Sequence, residues 1–262
     1  MPVISLKLFD THTHYDDDKY DGDRDAVLSG LAGAGIEYIL NASYDLNSSE
    51  ASRALSARYS NIWFAAGIHP HNAAAAPAVF EESLERFFAD PKAVALGETG
   101  LDYHYDFSPR KTQKDVFDRQ LALACKLGRP VIVHDREAHD DVMDILHAYK
   151  DSLNGGVYHC FTGDRRLAGR ALQLGFHIAF GGALTFKNSV DIVDAAEYAP
   201  LDRILLETDC PYMSPAPFRG RRNDSSRLSI IAERMAQIKG ASVNEIASAT
   251  TMNALQLFSI TQ

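Results

Sequence analysis

Two closely spaced histidines near the start of the chain are the first residues whose types could do chemistry. His12 and His14 are two positions apart, so in an extended segment both rings point to the same side. Two imidazoles on one side are suitable ligands for one divalent cation. A single His-x-His pair is a weak signal, so this one needs support from elsewhere in the chain.

Four further candidate ligands come from distant parts of the sequence. They are Glu98, His134, His159 and Asp209. We expect Glu98 to bridge two cations, with His134 and His159 completing the second site. We expect Asp209 to bind the first cation and to hold or deprotonate a water. Divalent cations lower the pKa of bound water and stabilise both the attacking and the leaving oxygen of a phosphoryl transfer. The site is therefore predicted to be hydrolytic, with Glu98 and Asp209 as its catalytic residues.

Eight short apolar or β-branched runs alternate with segments of helical spacing, and these elements must position the candidate ligands. The predicted strands are Val3–Phe9, Tyr38–Ala42, Ile62–Gly67, Ala93–Gly97, Val131–His134, Val157–His159, Ile178–Phe180 and Ile204–Glu207. Such alternation favours a parallel sheet with crossover helices. No Gly-x-Gly-x-x-Gly turn favours a doubly wound open sheet instead. We predict the α/β class and a (β/α)8 TIM barrel, as a single domain over residues 1–262.

Two helices carry boundary signals. Pro109–Lys126 is predicted with Ser108 as its N-cap, because Ser is a favoured N-cap and Pro is favoured at the first helical position. Val243–Phe258 is predicted with a capping box between Ser242 and Glu245.

The candidate ligands share one position in this barrel, since each follows or closes the C-terminal end of a predicted strand. These ends converge on the face where active sites of this fold lie. Six candidates at the same end of different strands make a joint metal site the favoured interpretation. His139 and His147 fall on a predicted helix and His177 at the opposite end, so we assign them no role.

Six blocks of the sequence resemble the signature blocks of the TatD-like deoxyribonuclease family, within the amidohydrolase superfamily. The blocks are Phe9–His14, Gly67–His71, Gly97–Tyr103, Pro130–His134, His159–Gly163 and Leu206–Tyr212. The resemblance implies a hydrolase acting on ester bonds: a metal-dependent DNase with one or two divalent ions, often cutting DNA from the 3′ end. It places His12, His14, Glu98 and Asp209 at the first ion and Glu98, His134 and His159 at the second.

Three further residues are predicted to bind substrate. His69 matches a histidine of the family's pocket, and we assign it to substrate phosphate. Arg136 follows a proposed ligand by two residues, as an arginine does in this family, and could also meet a phosphate. Arg222 lies with Arg219 and Arg221 in a basic loop, which could hold a nucleic-acid backbone; a solvated turn is the alternative.

The overall charge argues against a general attraction to nucleic acid. The net charge is −9 and the pI about 5.5, so attraction to a phosphate polymer must come from cations and local arginines. Six aspartates crowd the loop after His14: Asp16, Asp17, Asp18, Asp21, Asp23 and Asp25. The expected partner is DNA, as single strands or duplex ends. The expected cofactors are Mg, Mn or Zn ions: imidazole ligands suit Zn or Mn, and the resemblance implies Mg.

Compartment signals are few. The three cysteines are widely spaced and imply no disulfide framework. The N-terminus has no signal-peptide core, and no run approaches the roughly 18 apolar residues of a membrane helix. We therefore expect a cytoplasmic protein without a membrane or obligate protein partner.

Three functions compete at this point. The first is a DNase that degrades DNA in the 3′–5′ direction. The second is a small-molecule hydrolase of an ester, lactone, amide or phosphate ester, which would use the same chemistry. The third is a non-enzymatic metal-binding scaffold. Amidohydrolases with a bridging modified lysine need Lys on strand four, so Glu98 favours the TatD-like branch without fixing the substrate.

Overall fold

The computed structural model describes residues 6–261, and within that range eight strands form one parallel sheet in chain order. The strands are β1 Leu8–Thr13, β2 Ile36–Ala42, β3 Ile62–Ala66, β4 Ala93–Asp102, β5 Val131–Arg136, β6 Gly156–Tyr158, β7 His177–Phe180 and β8 Ile204–Leu206. The sheet closes where Thr13 forms a parallel bridge with Cys210, just beyond β8. The predicted (β/α)8 TIM barrel is confirmed.

Helices connect the strands. Those of the described residues are α1 Arg24–Gly30, α2 Leu46–Arg58, α3 Phe80–Phe87, α4 Arg110–Leu127, α5 His139–Ala148, α6 Arg165–Gln173, α7 Val190–Tyr198, α8 Leu228–Lys239 and α9 Val243–Leu257. The first seven each join consecutive strands, whereas α8 and α9 follow β8. None of them is long and apolar enough to cross a membrane.

The barrel interior is filled by one apolar layer to which every strand contributes a side chain. These are Phe9, Leu40, Ala65, Ala95, Ile132, Val157, Ala179 and Leu205. Leu255 of α9 joins this layer. The Thr251 hydroxyl donates to the carbonyl of Lys7, and the Asn253 amide donates to that of Ile204, both at strand starts. Helix α9 therefore closes the N-terminal end and leaves the opposite end open.

Several strand boundaries differ from the prediction by one or two residues, and the ends of β1 and β4 differ most. The predicted strand Val3–Phe9 begins in residues 1–5, which lie outside the described range; β1 runs from Leu8 to Thr13. Strand β4 continues to Asp102, because its last residues still pair with β5. The last part of β1 is rich in polar residues, and the last part of β4 is rich in polar residues and glycine, so both resemble loops in sequence. Candidate ligands lie in or directly after these segments.

One predicted cap is wrong and one is confirmed. Pro109, not Ser108, is the N-cap of α4, and no side chain caps this helix. The Ser108 hydroxyl instead donates to the carbonyl of His71, so it fixes the loop after β3. The capping box between Ser242 and Glu245 is present at the start of α9.

Candidate metal centre

A pairing irregularity in β1 directs its two histidines into the open end of the barrel. Phe9 belongs to the interior layer, so strict alternation would turn odd-numbered residues inward and His12 and His14 outward. The pairing of β1 with β2 shifts between Asp10 and Thr13. Such a shift re-aims the side chains that follow it, and both imidazoles face the same cluster, with their Nε2 atoms 3.2 Å apart.

Strand β4 has a similar pairing irregularity at Glu98. Its pairing with β5 shifts between Leu96 and Thr99, so Glu98 enters the open end although Ala95 lies in the interior layer. Gly100 sits beside this shift with φ 142°, and a side chain there would collide with the backbone carbonyl of His134. Glycine at this position therefore lets β4 and β5 approach closely where both carry a candidate ligand.

The two carboxylate oxygens of Glu98 face different groups of imidazoles. Oε2 lies 3.2 Å from Nε2 of His12 and 3.7 Å from Nε2 of His14. Oε1 lies 2.8 Å from Nδ1 of His134 and 3.0 Å from Nε2 of His159. The residue is buried, with 3% of its surface exposed. This arrangement suits a carboxylate shared between two cations.

Asp209 completes the first group. Its Oδ1 lies 3.4 Å from Nε2 of His14 and 3.9 Å from Nε2 of His12. Ligand atoms about 2.1 Å from one ion lie roughly 3 Å from each other, so the donor set fits one divalent cation. Asp209 has a φ of 56°, a left-handed conformation that is rare outside glycine and clusters at functional sites.

A further histidine of the predicted pocket, His69, lies against the second group. Potential ligand atoms of His69, Glu98 and His134 lie within 4.8 Å of one another, as do those of His12, Glu98 and His159. His134 and His159 have ring centroids 5.9 Å apart. His69, predicted to bind substrate phosphate, thus lies directly beside the candidate ligands.

Two outer carboxylates, Asp102 and Glu207, lie beside imidazoles of the cluster, and sequence reasoning missed both. Oδ2 of Asp102 lies 3.2 Å from Nε2 of His134 and 2.8 Å from Nε2 of His71. Oε1 of Glu207 lies 3.2 Å from Nδ1 of His159. Carboxylates in this position fix the orientation of metal-binding imidazoles. The available signal was that Asp102 and Glu207 lie within two of the blocks that resemble the family, each a few residues from a candidate ligand.

Burial and mutual proximity shift the pKa values of the cluster strongly. Burial lowers the pKa of His14, but Asp209 and Glu98 raise it more, to about 9. Burial raises the pKa of Glu98, yet the surrounding histidines hold it well below its ordinary value. Burial lowers the pKa of His69 to about 4. A cation bound here must displace the His14 proton.

The two predicted substrate arginines differ in their surroundings. Arg136, the last residue of β5, is half-buried and pairs with no carboxylate among the described residues. Burial raises the pKa of the Cys160 thiol well above its ordinary value, and the positive charge of Arg136 opposes this shift. Arg222 is already paired: its two guanidinium nitrogens lie 2.8 and 2.6 Å from the carboxylate oxygens of Asp23.

Local partners neutralise much of the aspartate-rich loop. Three of its carboxylates pair with arginines: Asp21 with Arg24, Asp23 with Arg222 and Asp25 with Arg58. Asp16 accepts hydrogen bonds from Asn41 and Ser48. The negative charge of the sequence is therefore partly compensated near the open end of the barrel.

The chain is similar to known proteins over nearly its full length. The family model of the TatD related DNases matches residues 9–259. The metal-dependent hydrolase YabD of Bacillus subtilis (strain 168) is 40% identical over 256 residues, which cover 97% of this chain and 99% of that protein. The 3′-5′ ssDNA/RNA exonuclease TatD of Escherichia coli (strain K12) is 32% identical over 258 residues, covering 97% and 99%.

A solved structure agrees with these sequence matches. The TatD homolog YjjV from Escherichia coli K12 has a TM-score of 0.92 at 31% identity, covering 98% of this chain and 100% of that one. Together with the barrel and its imidazole–carboxylate cluster, these similarities lead to one conclusion. The chain belongs to the TatD related DNase family and is a metal-dependent hydrolase.

Proposed function

We propose that this hydrolase is a 3′–5′ exonuclease acting on single-stranded nucleic acid with one or two divalent ions. The observation that carries the proposal is Glu98, whose two oxygens each face a separate group of imidazoles. Two adjacent cations are a recurring solution for phosphodiester hydrolysis. The relative named a 3′-5′ ssDNA/RNA exonuclease, 32% identical, supports the substrate and the direction.

The donor set fits divalent cations. His12, His14 and Asp209 would hold one ion, His134 and His159 the other, and Glu98 would be shared. Mg, Mn and Zn are the candidate metals, because oxygen ligands suit Mg and imidazoles suit Zn and Mn. When bound, such ions lower the pKa of water and neutralise charge on a phosphate.

Asp209 is the proposed acceptor of the proton from the attacking water. Burial raises the pKa of its carboxyl, but a hydrogen bond from His14 and the neighbouring histidine charges lower it below its ordinary value. The carboxylate is therefore ionised at neutral pH and able to take a proton.

His69 is proposed to donate a hydrogen bond to a phosphate oxygen. Its Nδ1 accepts the backbone N–H of His71 at 3.1 Å. A neutral imidazole carries one proton, so that proton is on Nε2, the atom that faces the cluster at 3.4 Å from Oε1 of Glu98. An N–H at this position favours phosphate binding over metal ligation. Arg136, which forms no ion pair with the carboxylates of residues 6–261, is the second proposed phosphate ligand.

Exposed aromatic rings at the open end favour a substrate with unpaired bases. Tyr105 and Phe107 stack on each other with centroids 5.4 Å apart, and 53% and 68% of their surfaces are exposed. Their rings also contact His71, at 5.4 and 4.8 Å. Such a platform can stack a base whose face is free. Tyr103 differs, because its hydroxyl is bonded to Asp141.

The test is digestion of a 5′-labelled single-stranded oligonucleotide by the purified protein with Mg or Mn. We expect a ladder that shortens from the 3′ end, disappears with chelator and is absent for Glu98→Gln. His147→Ala, at an exposed position of α5, should behave as wild type.

The net charge of −9 favours a second candidate, hydrolysis of a small ester, lactone, amide or phosphate ester. An intact oligonucleotide in every lane, together with turnover of a small ester that Glu98→Gln lacks, would replace the nuclease proposal with this one.

A further inference from the structure

Two adjoining grooves beside the open end of the barrel carry an unusual concentration of positive charge. One has a volume of about 510 Å³ and the other about 550 Å³. They share Phe186 and Arg219 in their walls, so they form one continuous surface. We call it the basic groove and define it by its cations: Lys19, Lys187, Arg219, Arg221 and Arg222.

The charge of this surface is opposite to that of the molecule. The chain has 35 acidic residues and 26 lysines and arginines. Among the described residues that line the basic groove, however, there is no aspartate or glutamate. Carboxylates touch this surface only from outside its lining, where Asp23 pairs with Arg222 and Asp17 accepts the hydroxyl of Tyr212, as far as the described residues show. Four of the five cations are left without an ion pair in the described range, so the groove attracts anions locally on a protein of net charge −9.

Several of these cations are available to a ligand. Lys187 and Arg221 are exposed and form no ion pair with any residue in the described range. Arg219 stacks on the ring of Phe186, with its guanidinium carbon 4.1 Å from the ring centroid, and it forms no ion pair with a carboxylate in the described part of the chain. Arg222 is the exception, because Asp23 already neutralises it.

Tyr212 joins the basic groove to the metal centre. It lines the groove, its ring centroid lies 6.1 Å from that of His14, and its backbone N–H donates to the carbonyl of Asp209. The ring is 46% exposed, and the ammonium of Lys19 lies 4.0 Å from its centroid. An extended ligand can therefore pass from the candidate ligands over Tyr212 to the arginines without leaving the surface.

We infer that the basic groove binds the phosphodiester backbone of the strand whose end occupies the metal centre, at phosphates remote from the cleaved bond. This inference rests on the proposed nuclease function. Alternating aromatic and cationic groups suit a single strand, since bases stack on rings while guanidinium groups meet phosphates. Arg219 and Arg221 replace Arg222 as the principal phosphate contacts.

The first test measures binding without cleavage. A labelled oligothymidylate of about twelve nucleotides is titrated with the protein in chelator, and its fluorescence anisotropy is followed. For Arg219→Gln/Arg221→Gln we expect about tenfold weaker binding at low salt. The slope of log affinity against log salt should fall by about 1.4, at roughly 0.7 per phosphate contact of a single strand.

A matched double variant controls for net charge. Lys150→Gln/Arg234→Gln removes two cations away from the basic groove, one after α5 and one within α8. It should bind like wild type. Equal loss in both double variants would overturn the inference, as would unchanged affinity of the groove variant or no binding by wild type.

The second test separates the groove from the reaction. With metal present, the groove variant should lose kcat/KM on the long oligonucleotide, mainly through KM, and keep its activity on a dinucleotide too short to reach the groove. Equal losses on both substrates would refute a role in binding the remote strand. Wild-type binding through the groove without any digestion would instead refute the nuclease proposal alone and leave the groove as a site for a polyanion.

Discussion

At the residue scale, Asp102 links two histidines of the open end. One of its carboxylate oxygens lies near Nε2 of both His71 and His134, and the other accepts the backbone N–H groups of His104 and Tyr105. Burial raises the pKa of this carboxyl, but hydrogen bonds from the two imidazoles hold it well below its ordinary value. Asp102 is therefore ionised and fixes the ring of His134 for a cation.

We predict that Asp102→Asn weakens metal affinity about 10- to 100-fold, the usual effect of losing an outer carboxylate. Activity should return largely when metal is added in excess, whereas Glu98→Gln should stay inactive. The measurement is a metal titration of activity for each variant.

Asp135→Asn is the control, because Asp135 is also a buried carboxylate with a histidine partner, His139, but lies outside the cluster. The metal concentration that gives half-maximal activity should be the same for Asp135→Asn as for wild type. If it were also the same for Asp102→Asn, Asp102 would not position His134 for a cation.

Residue positions within the site could be predicted from sequence to a useful degree. The cluster was found because candidate ligands such as His12 and Asp209 end different strands of one barrel. Asp102 and Glu207 were missed because carboxylates that support a ligand have no spacing rule of their own. The pairing of Arg222 with Asp23 joins residues nearly 200 positions apart, which no local pattern reveals.

At the element scale, two of the strands that carry candidate ligands, β1 and β4, are irregular. Both β1 and β4 shift register just before their ligands, and this shift lets one strand fill the apolar interior and then present metal donors. A period-two pattern predicts where such strands lie, but not the residue at which alternation breaks. The ends of β1 and β4 were therefore the poorest predictions, while the capped helix α9 was placed to within a residue.

The capping box of α9 offers a test of stability apart from function. Ser242→Ala removes the side chain that accepts the backbone N–H of Glu245, and loss of an N-cap costs about 1 kcal/mol. We expect a decrease of that size in the free energy of unfolding in urea. Activity per folded molecule should not change, since α9 closes the end opposite the candidate site.

Ser152→Ala, at an exposed turn position, is the control and should leave the urea midpoint in place. If Ser242→Ala altered kcat or KM instead, the separation between the closed and open ends of the barrel would be wrong.

At the scale of the whole molecule, metal binding and proton binding compete. The pKa of His14 is raised from 6.5 to about 9, so its proton stabilises the metal-free protein below pH 6.5, and this contribution is lost as the pH rises through 9. A cation needs the neutral ring. The metal-induced rise in Tm should therefore increase from pH 6.5 to 9, with affinity changing about tenfold per pH unit for each displaced proton.

Thermal unfolding with and without Mg or Mn across this range measures the effect. His147→Ala, which changes an exposed helix position, should keep the full pH dependence, and His14→Ala should lose the part of the metal-induced shift that comes from the ion held with His12 and Asp209. An equal metal-induced shift at both ends of the range would show that no His14 proton is displaced.

The shared carboxylate of Glu98 also has a thermodynamic consequence. Because its two oxygens face different groups of imidazoles, two ions held as proposed would not bind independently. Whatever factor the first ion applies to the affinity for the second, the second must apply to the first, since coupling between two binding equilibria is reciprocal. Two ions on one carboxylate repel each other across a short distance, so the coupling is negative unless a bridging anion offsets it. A phosphodiester is such an anion, and its arrival would then tighten the hold on the more weakly bound ion.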